Sequence, residues 1–461
     1  MRLPPILFLA LLLPACTTEA VKTAATRSGP PNVIIIFADD LGYGDLGVYG
    51  HPTIRTPHLD GMAAEGMKFT QFYTGASVCT PSRAALLTGR LPIRSGMAND
   101  RIRVIFPPSE GGLPAAEITI AEALKAQGYT TACFGKWHLG HREEHLPPNH
   151  GFDHYFGIPY SNDMSAVIYP RLAERGYTPL PLVRGTDTIE EEPDQRLLTR
   201  RYTEEAVQFI RDNRARPFFL YLPHTFPHVP LFASDTFEGM SPRGLYGDVV
   251  EELDWSTGQI LETLTDLGLA ENTLVVFTSD NGPWLTEHLE GGSAGLLHDG
   301  KGTTWEGGMR VPALAWWPGT IAPGQTNDAL ATTMDLYTTA LTLAGADVPT
   351  DRVVDGVDLT PLLQGEREQV RDLVFYYRGV RLFAVRKGPW KLHFITQSAY
   401  VGDDPVPHDP PALYHLDHDP SERFNVAADN PDVIADILQA VEQHRAALDP
   451  APTQLDIPAW E

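Results

Sequence analysis

A handful of short segments concentrate the side chains able to do chemistry: Asp39-Asp40, Cys79-Thr80-Pro81-Ser82-Arg83, Lys136-Trp137-His138, His224 through His228, Asp280-Asn281 and Lys301. Asp39, Asp40, Asp280 and Asn281 all offer oxygen. Hard oxygen donors without a Cys or His cluster suit Ca²⁺ or Mg²⁺ rather than Zn²⁺. An Asp-Asp pair alone also serves as a turn or helix cap; two such clusters, each closing an apolar strand, shift the balance toward metal ligation. Pro81 suits the first turn of a helix running on through Thr88. Cys79 then stands at a helix N-terminus, where the dipole and free N–H groups favour negative charge. With Arg83 four residues on, this reads as a reactive thiolate beside an anion site. The competing structural reading is a small buried Cys ahead of a capped helix. Cys133 reads as a buried strand residue.

The elements that must position these groups follow one pattern. Asn32–Ala38, Tyr129–Phe134, Pro217–Leu222 and Thr273–Thr278 are short apolar runs rich in β-branched and aromatic residues, and each ends in one of the polar clusters. They read as buried parallel strands. Helical periodicity falls on Ile118–Gln127, Thr203–Asn213, Asp248–Leu267 and Thr332–Ala344, with Gly128 closing the first. Leu314–Trp317 is a further strand candidate. Ligands of open α/β sheets bind beyond the C-terminal strand ends, so segments distant in sequence are expected to build one polar site. After about residue 370 the character changes. Leu373–Tyr377, Arg381–Arg386 and Trp390–Phe394 read as strands and Pro431–Leu448 as a helix, which predicts a smaller antiparallel sheet packed with one helix.

Cys79-Thr80-Pro81-Ser82-Arg83 resembles the sulfatase signature C-x-P-S-R, in which the Cys is converted to Cα-formylglycine. The second signature of that family is matched by Gly128 through His138, in order and some fifty residues on. The likeness continues through Asn281, Gly300–Gly308 and Asp419-Pro420, so it covers nearly the whole mature chain. Within the family the chain is most similar to the arylsulfatase A and N-acetylgalactosamine-6-sulfatase branch. The resemblance implies an alkaline-phosphatase-like α/β sandwich with a large, mostly parallel central sheet. It also implies one divalent cation held by Asp39, Asp40, Asp280, Asn281 and the side chain at position 79; Ca²⁺ is favoured, with Mg²⁺ the alternative.

A sulfate ester needs fixed cations for its non-bridging oxygens and a donor for the leaving oxygen. The resemblance implies that Arg83 steadies the aldehyde hydrate and that Lys136 and Lys301 bind sulfate. His228, in the family's His-x-Pro, faces the leaving oxygen with Lys301, and His224 is structural. Asp280 takes the proton of the attacking hydroxyl, and His138 takes the proton when a sulfated hemiacetal collapses. Ser161 matches a sulfate-contacting Ser. Trp284 and His298 stand beside motif segments, at the entrance or in packing. Ser398-Ala399-Tyr400 lacks a His where arylsulfatase A carries a pocket-edge loop, so the lysosomal substrates do not carry over. Formylglycine implies a formylglycine-generating enzyme as a maturation partner. The implied substrates are sulfated small molecules, sugars or glycans, with activity on aryl sulfates.

The 461 residues carry 35 Lys and Arg against 59 Asp and Glu, a net charge of −24, which excludes a nucleic-acid backbone binder. Three Cys cannot make a disulfide framework. Residues 1–16 read as a lipoprotein-type signal peptide: the apolar run Ile6–Leu13 is too short to span a bilayer. Leu13-Pro14-Ala15-Cys16 resembles a bacterial lipoprotein processing site with Cys16 lipidated. Residues 17–31 form a tether, 32–369 the catalytic domain and 370–461 a C-terminal α+β subdomain. The expected location is the bacterial periplasm or cell surface, with membrane contact through the lipid only. Two alternatives stand: a phosphate or phosphonate monoester hydrolase of the same superfamily, and a non-catalytic sulfoglycan-binding lipoprotein. The first, in its two-metal form, needs a second ligand set. The second needs no convertible Cys.

Overall fold

The computed structural model describes residues 29–399 and 404–456. The expected signal peptide with Cys16, most of the expected tether and Tyr400 lie outside the described residues.

Eleven strands form the central sheet: β1 (Asn32–Ala38), β2 (Met67–Tyr73), β3 (Thr130–Phe134), β4 (His154–Gly157), β5 (Pro181–Arg184), β6 (Asp187–Glu191), β7 (Phe218–Pro223), β8 (Thr273–Ser279), β9 (Arg310–Trp316), β10 (Gln325–Asn327) and β11 (Ala331–Thr332). Their order is β10-β2-β9-β8-β1-β7-β3-β4-β5-β6, with β11 also paired to β2. The centre, β8-β1-β7-β3-β4, is parallel throughout. Strand β9 runs antiparallel to both β8 and β2, and β5 and β6 add antiparallel pairs at the far edge. The sheet is therefore mixed, with its parallel part in the middle.

Alternation along β1 shows how the layers form. Val33, Ile35 and Phe37 join one apolar cluster, with Leu86 and Leu87, Leu124 and Leu341 from helices Cys79–Thr88, Ile120–Ala126 and Asp335–Ala344. Ile34, Ile36 and Ala38 join the other, with Leu59, Ile210 and Leu253 from helices Pro57–Glu65, Leu198–Asn213 and Leu245–Asp266. A strand buried on both faces reads as a nearly continuous apolar run, and all of β1 is buried, with its one polar residue, Asn32, donating to Thr273 Oγ1 at 3.0 Å. Thr119 and Glu122 cap helix Ile120–Ala126 reciprocally. Helices Leu198–Asn213 and Leu245–Asp266 begin upstream of the expected Thr203 and Asp248. No described helix is long and apolar enough to cross a membrane.

Strands β12 (Leu373–Arg378), β13 (Arg381–Lys387), β14 (Trp390–Thr396) and β15 (Val406–His415) form the second, antiparallel sheet. Helix Pro431–Ala446 packs on it through Ile437 and Val441, in a cluster that also takes Ala85, Leu91 and Ile93 from the larger unit. A buried polar knot joins the sheets. Lys391 Nζ lies 2.9 Å from Glu306 and 3.0 Å from Glu422, and all three side chains are fully buried. Tyr73 and Tyr376 donate to Glu306 as well. This knot positions the site, because Glu306 closes the segment that begins at Lys301.

Candidate active site

Strands β8, β1, β7 and β3 are neighbours and parallel, so their C-terminal ends open on one edge. There β1 presents Asp39 and Asp40, β8 presents Asp280 and Asn281, β3 leads to Lys136 and His138, and β7 leads to His224 and His228. Successive strand residues point to opposite faces, yet ligand atoms of Asp39 and Asp40 lie within 4.8 Å of each other. Asp40 has φ 64°, a left-handed conformation that turns the chain out of the strand. His138, with φ 58°, is turned in the same way. Such strain clusters at functional sites. Gly135 makes the approach to Lys136 possible: its φ is 137°, and a Cβ there would sit 1.8 Å from the Pro223 carbonyl oxygen.

Cys79 opens its helix and is 2% exposed. Its Sγ lies 3.5 Å from Asp39 Oδ1. Burial, and next the Asp39 carboxylate, push the thiol well up. The reading of a thiolate at a helix N-terminus is thereby corrected: desolvation and a carboxylate neighbour outweigh the dipole. Before any conversion, burial and Asp39 therefore favour the thiol over the thiolate at Cys79.

Three carboxylates meet three cations, all but Lys301 fully buried. Arg83 donates to the Lys136 carbonyl at 2.8 Å and to Asp280 at 2.9 Å, and lies 3.3 Å from Asp39. Lys136 pairs with Asp39 and donates to Ser161 Oγ at 3.1 Å. Lys301 donates to Asp40 at 2.7 Å and sits 4.1 Å over the Trp284 ring. Burial raises the Asp39 carboxyl, but Lys136 and Arg83 outweigh it and hold the group well below the carboxylate range. Burial, then Asp39, pushes Asp280 up to about 7 despite Arg83.

The histidines differ in which nitrogen is available. His138 Nε2 lies 2.9 Å from the Ile105 carbonyl, which can only accept, so the proton is on Nε2. Its Nδ1 is buried without a partner and holds a free lone pair. Burial, then Lys136 and Arg83, keep the ring neutral, as a base must be. His228 Nδ1 lies 2.5 Å from the Val229 carbonyl, so its Nε2 bears the lone pair, 3.7 Å from Asp40. His228 therefore donates to a leaving oxygen only as an imidazolium, and burial together with Lys301 opposes that form. Lys301 is the better donor. His224 is buried against Ser256 Oγ at 3.2 Å. His298 stacks on Trp305 at 4.2 Å, in packing.

A cavity of about 310 Å³ opens above this floor. Cys79, His138, Ser161, His228, Trp284 and Lys301 line it, as do Ser398 and Ala399. So do Arg103, Asp163 and Arg378, which the sequence reading did not single out. Asp163 carried a usable signal, two residues after Ser161. Arg103, in Arg101-Ile102-Arg103, and Arg378, on β12, had none, because no local pattern brings residues so far apart to one wall.

The carboxylate and amide oxygens here fit a hard cation, although the ligand atoms that lie closest together also include a Cys sulfur and a His nitrogen and do not include Asp280. Asp39, Asp40, Cys79 and His228 each place one ligand atom within 4.8 Å of the others. Asn281 donates from Nδ2 to Asp40 at 2.7 Å, which leaves its buried Oδ1 without a partner. A buried carbonyl oxygen facing carboxylates is what an oxygen-seeking ion satisfies. Asp280 is engaged with Arg83 and with the Asp40 N–H at 3.1 Å.

Residues 31–346 match the Sulfatase family and residues 369–460 match the C-terminal region of aryl-sulfatase. The chain is 45% identical to arylsulfatase A of Bos taurus, over 92% of this chain and 89% of that one. It is 43% identical to N-acetylgalactosamine-6-sulfatase of Rattus norvegicus, over 97% and 91%. The PsFucS1 sulfatase from Pseudoalteromonas sp. superposes with a TM-score of 0.83 at 29% identity, covering 92% of each chain. With these matches and that floor of carboxylates, lysines and a buried Cys, the chain belongs to the sulfatase family. It is a sulfuric ester hydrolase with the alkaline-phosphatase-like fold. Membership implies a divalent metal and a formylglycine.

Proposed function

We propose that this enzyme removes sulfate from sulfated sugars or glycans, and from aryl sulfates, using a formylglycine made from Cys79 by a formylglycine-generating enzyme. The observation that carries the reading is the convergence of Cys79, three carboxylates, the unpartnered Asn281 oxygen and two lysines on the floor of one cavity. Asp39, Asp40, Asp280, Asn281 and the side chain at position 79 would hold the cation, Ca²⁺ before Mg²⁺. The cation supplies polarisation of a sulfate oxygen, and hydrated formylglycine supplies two hydroxyls on one carbon, one to attack sulfur and one to release sulfate.

The remaining roles belong to the chain's own residues. Lys136 and Lys301 each have three donors and spend only part of them on Asp39, Ser161 and Asp40. The rest serve the non-bridging oxygens, with Ser161 beside them. Asp280, held by Arg83 at 2.9 Å, is the carboxylate assigned to accept a proton from the attacking hydroxyl. Arg83 holds Asp280 and Asp39 in place. Lys301 donates to the leaving oxygen, and His228 joins it when protonated. His138 accepts the second hydroxyl proton at Nδ1. We extend the proposal to export, with Cys16 lipidated and the enzyme at the bacterial periplasm or cell surface.

The test compares turnover on 4-nitrophenyl sulfate, 4-nitrophenyl phosphate and a sulfated monosaccharide. Sulfate esters are expected to dominate in kcat/KM, and the peptide containing residue 79 should react with a hydrazine probe. Preference for the phosphate, or full activity with an alkylatable Cys79, would overturn the reading.

A further inference from the structure

The cations of the floor are matched to carboxylates; two others in the cavity wall are not. Arg103 Nη2 and Arg378 Nε both donate to the Gly302 carbonyl, each at 3.0 Å. Both guanidinium groups are half-buried and line the cavity above Cys79. Among the described residues neither has a carboxylate within ion-pair distance. Asp100 favours the charge on Arg378 from a distance but lies 3.6 Å from Arg381 and forms no ion pair with Arg378. Asp163 lines the same cavity but bonds to Ser161 and forms no ion pair with either arginine. Gly302, at φ 88°, allows the crowding: a Cβ there would stand 3.2 Å from Arg103 Nη1. Burial, then Arg378, works against the charge on Arg103.

Two like charges held on one carbonyl, directly after Lys301, repel each other, and among the described residues neither forms an ion pair. An anion entering the cavity relieves both. Guanidinium groups present paired N–H donors that match carboxylate and sulfate oxygens. Resting on the sulfatase reading, we propose that Arg103 and Arg378 form a second anion subsite, and that the preferred substrate is a sulfated saccharide bearing another sulfate or a carboxylate near the scissile ester. The shared chemistry is an oxyanion on the sugar that is cleaved or on its neighbour. The cavity of about 310 Å³ is large enough for one or two sugar units.

The experiment measures kcat/KM on three substrates: a monosulfated amino sugar, its disulfated counterpart, and the same monosulfated sugar linked to a uronate. In the wild type at least one dianionic substrate should exceed the monoanionic one by ~10-fold, a modest return for one charge-assisted contact. The two dianionic arms tell sulfate from carboxylate. Arg103→Gln with Arg378→Gln should bring that ratio toward one, whatever the change does to absolute rates; Arg103→Lys should keep part of it. A role confined to propping the Lys301 segment would lower all three rates together and leave the ratio intact, which would overturn the proposal. Equal wild-type rates would do the same. The ratio is also read as binding affinity on Cys79→Ala protein, with and without the paired Gln changes. Absent turnover with a binding preference that depends on both arginines would sink the hydrolase reading and keep this one.

Discussion

Replacing Lys391 with Met tests whether the C-terminal sheet holds the catalytic segment in place. Lys391 is fully buried, 2.9 Å from Glu306 and 3.0 Å from Glu422. Without it Glu306 keeps Arg310 at 3.5 Å, Arg386 at 3.9 Å and two tyrosine donors. Glu422 keeps His393 at 2.7 Å and its bond from the Glu306 N–H at 2.7 Å. Breaking a buried pair by removing one partner costs about 3–5 kcal/mol. Because Glu306 is otherwise well supplied, the low end applies, ~3 kcal/mol. At about 2 °C per kcal/mol for a chain of this size, the thermal midpoint should fall by ~6 °C. The control is Lys387→Met, which breaks the surface pair with Asp436 and should cost about 0–1 kcal/mol. Because Glu306 and Trp305 follow Lys301 closely, and Trp305 packs on His393 at 4.5 Å, kcat/KM on an aryl sulfate should fall too, by ~10-fold for a small misplacement of the ammonium. Neutralising Glu422 together with Lys391, as Glu422→Gln, should recover part of the stability, since His393 can be neutral and Glu306 keeps Arg310 and Arg386 as counter-charges. A Lys391→Met protein as stable as the Lys387→Met control would refute the reasoning, because it would mean that the buried charges are not coupled.

Cys79→Ser, if itself unconverted, keeps one hydroxyl and should release at most one alcohol per chain, leaving sulfate on the new serine; sustained turnover would contradict the assigned nucleophile. His138→Ala should slow sulfate release more than the first transfer, seen as a burst in pre-steady-state mixing. Chelation should lower both activity and thermal midpoint, by ~2.7 kcal/mol if the free metal stood near 100 times its Kd; Asp39→Ala and Asp280→Ala should each abolish the chelator-sensitive part of the shift. Burial raises Glu306 and Glu422, but Lys391 outweighs it and both titrate below their ordinary 4.5. Their stabilisation is therefore complete above that pH and lost as acid protonates them, so unfolding midpoints should drop below pH 4.5 in the wild type and less steeply in the Glu306→Gln, Glu422→Gln, Lys391→Met protein. Cys16→Ser should move the enzyme from a membrane fraction to a soluble or uncleaved form, as fractionation and N-terminal sequencing would show.

Local composition was enough to place the strands that matter most. A strand buried on both faces reads as a nearly continuous apolar run, so Asn32–Ala38 and Thr273–Thr278 announce themselves, and the polar residues that end them mark the ligand-binding edge. The Cys79–Arg83 and Gly128–His138 segments were legible for another reason, their resemblance to the two sulfatase signatures; on residue types alone Cys79 reads equally as a buried structural Cys. Strand β6, Asp187–Glu191, was not legible; it is polar and exposed at the sheet edge, stabilised by pairing with β5 rather than by its own pattern. What tertiary structure alone decided is who meets whom. The order β8-β1-β7-β3 brings Asp280, Asp39, His228 and Lys136 together across long separations, and no local periodicity encodes that order. The protonation of Cys79 followed from burial beside Asp39, which outweighs the helix N-terminus that its sequence position suggests. Arg103 and Arg378 share one carbonyl although 275 residues part them in the chain. Electrostatic environment depends on distance through space and on exclusion of water, and both are properties of the folded packing rather than of the spacing along the chain.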